Sequence, residues 1–426
     1  RRQRQMCIRD RNNAHMEKSA HVEEQQVDEP PDGGLVAWSQ VLASHLTMFN
    51  SWGYMTSFGI FQPYYVKTLN QDPSNISWIG SLEYFCIFFM GFLAGRAADA
   101  GYVRTLLFCG FALQILGVFT TSACNTYWQF LLAQGVCQGL GCGLTFTPMV
   151  SLVSSYFKKK RVLAICIQAS GTSSGGLVFP AIAKTLLPSV GFPWAVRAMG
   201  FVIVFNSAII LLLVKPRLPP RKNGRLVELS AFKEPTYLLY TIGIFLALWG
   251  NFVAYFYLRA YAKDIVHVSE DVSFNMLLVM NGIGIPGRLI PSLIADRLLG
   301  PVNTISIIIL LAGVMMSCWI TIKHTTSMWI FSVFYGLFSS AIQGLFPAAL
   351  ASLTSDPTKQ GLRIGMACSV FSFACLSGSP IAGHLIEIHN GQYLHAQIFG
   401  LVNMFCGCAF VVACRTARCG LKIQKM

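Results

Sequence analysis

Apolar residues in this chain gather into twelve runs of about twenty residues or more, and that segmentation limits what the chain can fold into. The runs cover residues 36–65, 76–96, 104–124, 127–154, 162–186, 195–214, 236–260, 273–295, 302–322, 328–354, 361–387 and 394–414. A hydrocarbon core about 30 Å thick takes about 20 helical residues to cross. Only helices and closed barrels satisfy their backbone groups in lipid. Barrel strands are about ten residues long and alternate in polarity, which these continuous runs do not. The expected fold is therefore an all-α membrane protein with twelve transmembrane helices. Composition agrees, with 54% hydrophobic and only 12% charged residues, where a soluble domain carries about a quarter charged. Single soluble cores stop growing near 250–300 residues, so a chain of 426 residues this poor in charge needs lipid as its solvent.

Lys and Arg orient the spans. With both termini on one side, 26 of them fall on that side and 6 on the other, or 21 against 6 without residues 1–15. Positive charge accumulates in cytoplasmic loops, so both termini are expected inside, with the plasma membrane as the default location. The basic balance belongs to this topology and calls for no nucleic-acid partner. Arg1 to Arg11, RRQRQMCIRDR, reads as translated sequencing adapter more than protein, and Met16 offers a natural start. Met16 to Asp32 is polar and acidic, so no cleavable signal peptide is expected and the first helix acts as the insertion signal.

The longest internal polar stretch, residues 215–235, divides the spans six and six. The expected organisation is a cytoplasmic segment 1–34, a six-helix bundle 35–214, a cytoplasmic linker 215–235, a second bundle 236–414 and a tail 415–426. No loop approaches a soluble domain in size, and no P-loop occurs. Gly139-Leu140-Gly141-Cys142-Gly143 lies inside an apolar run without a preceding strand, so it reads as helix packing. The fourteen cysteines mostly sit in apolar runs and show no metal-ligand spacing. The chain is expected to be a solute carrier, not an enzyme, with no cofactor or metal. Its expected partners are a small molecule and the bilayer, with protons as a further option, and it is expected to act as a monomer.

The two halves repeat. Gly95-Arg96-Ala97-Ala98-Asp99 follows span 2, while Gly287-Arg288 and then Ala295-Asp296-Arg297 follow in span 8. Pro148 to Leu152 ends span 4, and Pro347 to Leu353 ends span 10. Two parallel six-helix halves are the architecture of the major facilitator superfamily. Within it the chain resembles the monocarboxylate porter family, especially fungal members. The resemblance rests on Pro30-Pro31-Asp32-Gly33-Gly34 before helix 1 and Ser77-Trp78-Ile79-Gly80-Ser81 at helix 2. It continues with Tyr156 to Arg161 and Gly171 and Gly175 at the helix 4–5 turn, Gly287 to Arg297 at helix 8, and Pro380 to Tyr393 at the helix 11–12 turn. These motifs run in collinear order over about residues 30–414.

That resemblance implies carriage of organic acids or other small metabolites, often with a proton, by alternating access. Fungal relatives include riboflavin-type carriers and exporters of secondary metabolites. A non-transporting nutrient sensor on the same fold is the reading of another class, and such sensors usually add a long cytoplasmic extension. The acid transporters carry a Lys in helix 1, where this chain has Tyr54-Met55-Thr56-Ser57. They also carry an Asp one turn before the helix 8 Arg, where this chain has Gly284. Coupling of the lactate type is therefore incomplete here.

Arg288 is the sharpest candidate. It lies eight residues before Asp296, about 12 Å into the membrane, where a charge faces a cavity or a partner. Its fork suits a carboxylate. Asn281 shares its face. Asn50, Tyr54 and Ser57 form an i, i+4, i+7 stripe on helix 1, and Asn251 with Tyr255 forms one on helix 7. Each stripe either lines the substrate path or staples helices through hydrogen bonds. Gln138, Gln168 and Gln343 carry the same ambiguity. Glu83 is the acid within span 2; it is expected to sit ionised in a wet outer vestibule, with proton carriage as the alternative. Asp99 and Asp296, with Arg104 and Arg297, are expected to act as gate residues, the aspartates pairing with Arg or with helix N-termini.

Overall fold

A computed structural model describes residues 29–218, 227–354, 356 and 359–420. The suspect leader and linker positions 219–226 lie outside the described residues. The chain separates into two units, Arg1–Pro30 and Pro31–Met426, and the structure below belongs to the second. Helices make up the described secondary structure, without a strand among the described residues.

The first span, α1 (34–69), is broken into Gly34–Met48, a π-helical turn at Phe49–Gly53, and Phe58–Leu69. At the break it is pressed onto the fifth span. A Cβ added to Gly53 would lie 2.5 Å from the Cα of Gly175, so only glycine permits this approach. The next spans are α2 (Asn75–Asp99), α3 (Val103–Thr121) and α4 (Tyr127–Tyr156). A helix from Arg161 to Leu213 follows, too long for one crossing. Within it Gly191 takes φ +78°, a left-handed conformation that glycine adopts without penalty, and Pro193 follows. The helix is therefore two spans, α5 (161–190) and α6 (192–213). The second half comprises α7 (Pro235–Asp264), α8 (Glu270–Leu299), α9 (Pro301–Trp319), α10 (Thr325–Leu353), α11 (Gln360–Ile388) and α12 (Leu394–Cys419). Among the described residues, ten continuous helices are long and apolar enough to cross a bilayer. Dividing one at Gly191 and adding the broken α1 gives the twelve expected from sequence.

Local chemistry fixes several ends. α4 opens with a reciprocal capping box between Thr126 and Gln129. α8 opens on Ser269, whose hydroxyl accepts the Val272 N–H, with Glu270 and Asp271 complementing the positive helix end. Asp32, in the Pro-Pro-Asp-Gly-Gly segment, accepts the N–H groups of Lys158 and Lys159 and so pins the α4–α5 turn.

The halves meet along two seams, α2 against α11 and α5 against α8 and α10. The first seam is a glycine crossing. Cβ atoms added to Gly91 or Gly95 would press on the carbonyls of Gly365 or Gly361, which lets two backbones touch, the arrangement small residues provide in membranes. The glycines of α4 work similarly within the first half, Gly139 and Gly143 lying against the α2 backbone near Glu83 and Cys86. Large apolar side chains such as Phe108, Leu116, Phe201, Phe205 and Leu212 remain exposed on the outside, as a lipid-facing surface requires.

Candidate functional site

Between the two halves, midway along the seams, lies a cavity of about 30 Å³. Met48 and Trp52 of α1, Phe88 of α2, Phe146 of α4, Gln168 and Thr172 of α5 line the first half of its wall. Phe252 of α7, Arg288 of α8, and Gln343 and Phe346 of α10 line the second. Trp52 packs edge-on against Tyr84, Phe88 and Phe146, so the walls are mainly aromatic. The polar groups concentrate around Arg288, which is 1% exposed.

The guanidinium has three neutral partners. Nη1 donates to Oγ of Ser173 on α5 at 2.6 Å and to the Gly284 carbonyl at 3.1 Å. Nη2 donates to Oε1 of Gln343 at 3.0 Å. Nε has no partner, and no carboxylate among the described residues forms an ion pair with it. Gly284 makes this arrangement possible, because an added Cβ would lie 2.4 Å from Ser173 Oγ, 2.5 Å from Ser340 Oγ and 2.8 Å from Arg288 Nη1. The absent side chain of Gly284 leaves the space through which Arg288 crosses to the other half. Burying an ion with only dipolar partners costs several kcal/mol in effective desolvation.

Asn281 sits two turns along α8 and accepts the Tyr255 hydroxyl at 2.7 Å, with its own amide nitrogen left without a partner. The Asn251 carbonyl accepts Tyr335 Oη at 2.7 Å, and its amide nitrogen is also unpaired. Ser339 and Ser340 contribute further unpaired hydroxyls. The structure thus brings Arg288, Asn281 and Tyr255 together with Gln343 and Ser173. Gln168 also lines the cavity, while Gln138 is buried without a partner for either amide atom.

The helix 1 stripe is placed elsewhere. Asn50 accepts from Asn206 Nδ2 at 2.9 Å and donates to the Ile203 carbonyl at 3.3 Å, both on α6. Tyr54 packs against Phe179 of α5 inside an aromatic cluster, and Ser57 is buried. None of the three lines the cavity, and Met48 and Trp52 take that face. The π turn at Phe49–Gly53 shifts the helix register, and in an apolar surrounding the asparagine finds its partner on the neighbouring helix. Trp52 and Ser173 were missed because an indole and a serine inside apolar spans carry no periodic signal.

Glu83 also departs from expectation. It is 1% exposed, with no wet vestibule around it. Gln134 Nε2 lies 3.5 Å from its Oε2, Tyr65 donates to the Gln134 Oε1 at 2.9 Å, and Glu83 Oε1 has no partner. The cause is the glycine packing of α4, which lets α2 and α4 close over the carboxyl group.

Contacts between the halves lie towards both ends of the molecule. At the linker end Asp99 of α2 accepts the N–H groups of Gly361 and Leu362 at 3.2 and 2.8 Å, at the start of α11. Asp296 of α8 accepts those of Val162 and Leu163 at 3.3 and 2.8 Å, at the start of α5. The aspartates therefore cap helix N-termini across the two seams, in arrangements related by the internal repeat. Arg104 instead donates to the Val214 carbonyl within the first half at 3.3 Å, and Arg297 is exposed. At the opposite end Arg259 Nη1 of α7 donates to the Gly59 carbonyl of α1 at 2.7 Å, and Lys184 of α5 pairs with Asp271 of α8 at 2.9 Å. A space of 30 Å³ holds about a water molecule, whereas small-molecule pockets span about 300–1,000 Å³. At this size the cavity admits an organic solute only if the walls around it move apart.

Comparison with known proteins agrees with this architecture. Residues 43–361 match the profile of the Major Facilitator Superfamily. An MFS-type transporter of Gibberella zeae is 44% identical over 391 residues, covering 91% of this chain and 88% of the relative. The Aspyridones efflux protein apdF of Emericella nidulans is 37% identical over 396 residues, covering 92% and 80%. The Fujikurins efflux protein of Gibberella fujikuroi is 32% identical over 393 residues, covering 91% and 84%. Among solved structures, FucP in its outward conformation superposes with a TM-score of 0.67 at 14% identity, over 88% of this chain and 98% of that one. The fold, the paired latches and these likenesses together place the chain in the Major Facilitator Superfamily, as a multi-pass membrane transporter.

Proposed function

We propose that this protein exports an organic metabolite bearing an anionic or strongly polar group, by alternating access around the cavity at Arg288. The observation that carries the reading is the buried guanidinium, held only by Ser173, Gly284 and Gln343, at the meeting of the two halves. Arg288, Asn281 and Tyr255 would contact the polar part of the solute, and the aromatic wall of Trp52, Phe88 and Phe252 its body. Direction is inferred from relatives named as efflux proteins for aspyridones and fujikurins. The collinear motifs favour the monocarboxylate porter branch. The positive-charge asymmetry supports a cytoplasmic linker end and residence in the plasma membrane.

Proton coupling, in this reading, does not run through α8. Position 284 offers no carboxylate, and Glu83 is the one fully buried acid among the described residues.

The test is transport by the purified protein in proteoliposomes with an imposed pH gradient, using organic acids and riboflavin as solutes. Saturable movement of a carboxylate solute that disappears in Arg288→Ala supports the reading. Equal transport by wild type and Arg288→Ala refutes the role of Arg288. Labelling of a cysteine placed at Lys233 by an impermeant reagent on intact cells would refute the orientation.

A further inference from the structure

At the end opposite the linker, a cavity of about 350 Å³ opens between the halves. It is more than tenfold larger than the central one and lies within the range of small-molecule sites. Its walls are Ile60, Pro63 and Tyr64 of α1, Leu187 of α5 and Phe274 of α8, and its charged rim is Lys67, Lys184, Arg259, Glu270 and Asp271.

The rim has more positive than negative charge. Asp271 serves Lys184 at 2.9 Å. Glu270 is shared between Arg259 at 3.6 Å and Lys263 at 3.8 Å, both long contacts. Lys67 has no ion-pair partner among the described residues. Three rim cations therefore face two carboxylates, one of which Lys263 also draws on from outside the cavity, and a cleft with an excess of one sign concentrates ions of the other. The two acids are also the more solvated members, their side chains 80% and 65% exposed against 46% for Lys184 and 18% for Arg259. The ring of Phe274 is buried beneath both cations, 4.6 Å from Lys184 Nζ and 5.7 Å from Arg259 Cζ.

We infer that this vestibule is a second binding site, for an amphipathic organic anion. The ligand's carboxylate exchanges for Asp271 and Glu270 on Lys184 and Arg259, while its ring or chain lies on Phe274 and Leu187. Lys184–Asp271 ties α5 to α8, and Arg259 ties α7 to the Gly59 carbonyl of α1. Taking those cations releases both ties, so occupancy favours opening of this end. The site is separate from Arg288 and stands or falls independently of it.

Calorimetric titration of the full-length protein in nanodiscs with 1-naphthoate, its neutral analogue 1-naphthamide, and empty nanodiscs as the lipid blank tests this. Expected is saturable naphthoate binding, with the amide about tenfold weaker, as loss of a charge-assisted contact implies. Lys184→Gln should weaken naphthoate about tenfold, and Lys184→Arg should retain it. Asp271→Asn should tighten binding, because it frees Lys184, an effect that mere misfolding would not produce. Any naphthoate held at Arg288 is separated by the Arg288→Ala background, in which the loss caused by Lys184→Gln should persist. No binding above empty nanodiscs, equal binding of acid and amide, or no tightening in Asp271→Asn overturns the inference. So does binding lost in Arg288→Ala but kept in Lys184→Gln, which would assign the anion to the central cavity.

Discussion

Arg288 on α8 donates to the Ser173 hydroxyl on α5 at 2.6 Å, so the charge at the centre of the second half is anchored on the first. That bond must break or be replaced whenever the halves rock apart. A solute carboxylate can replace it with a stronger, two-pronged contact. The cavity residue then reports on both substrate and conformation.

Arg288→Lys keeps the charge but loses the fork. Affinity for a carboxylate solute should fall by roughly 1.5–3 kcal/mol, the range of a charge-assisted hydrogen bond, and Arg288→Ala should impair transport further. Equilibrium binding of a transported acid to both variants across pH 5 to 8 is the measurement. Unchanged affinity in both reduces Arg288 to a helix staple.

Asp99→Asn and Asp296→Asn should each slow transport while leaving equilibrium binding in place. Each carboxylate caps a helix N-terminus on the other half, and neutralising it exchanges two charge-assisted bonds for at most one neutral acceptor. About 1 kcal/mol of preference for the closed linker end should be lost per latch. Accessibility of a cysteine on the linker side of the cavity, measured with and without solute, should rise in both variants. Loss of binding in either would remove it from the gate.

Glu83→Gln replaces the carboxyl by a group of equal size. An ionised carboxylate with a single amide contact at 3.5 Å is poorly compensated, and a proton or an amide relieves that cost. The variant should be folded and at least as stable as wild type. If Glu83 carries the coupled proton, solute movement driven by a pH gradient should vanish while exchange without a gradient continues. Retention of gradient-driven transport in the variant would exclude that role.

The linker contributes a pH-dependent clamp. Arg363, at the start of α11, holds Glu234 through two bonds at 2.6 and 2.9 Å, and Lys359 holds Glu228 at 2.9 Å. Partial burial pushes the Glu228 carboxyl up, but bonds from Lys359 and Arg363 and their charge outweigh it, so it titrates below its usual value of 4.5. A lowered acid stabilises the fold above its unfolded pKa and loses that contribution as pH falls through the folded one. The melting temperature of wild type should exceed that of Glu228→Gln at pH 7, and the gap should narrow as the pH falls below 4.5. A gap constant from pH 7 to 3.5 would assign the difference to packing.

The helical class and the membrane-spanning segments were legible in the amino-acid order, because hydrophobic length against bilayer thickness is a local property. Asp99 and Asp296 were legible too, since an acid ending a span has few places to go except a helix N-terminus or a cation. Arg288 stood out for the same reason, a charge where charge is expensive. What filled the space around it was not legible. Ser173 and Gln343 lie 115 and 55 residues away in sequence, and only packing decides that Gly284 leaves room for the guanidinium instead of supplying its counterion. The face that α1 turns to the cavity likewise depended on a π turn seated against Gly175, which moved Asn50 onto α6 and Trp52 inward. The setting of Glu83 depended on how closely the α4 glycines let two backbones approach. Sequence alone determined which segments enter the membrane; close contact between segments far apart in the chain decided which polar groups face the solute and which merely bind each other.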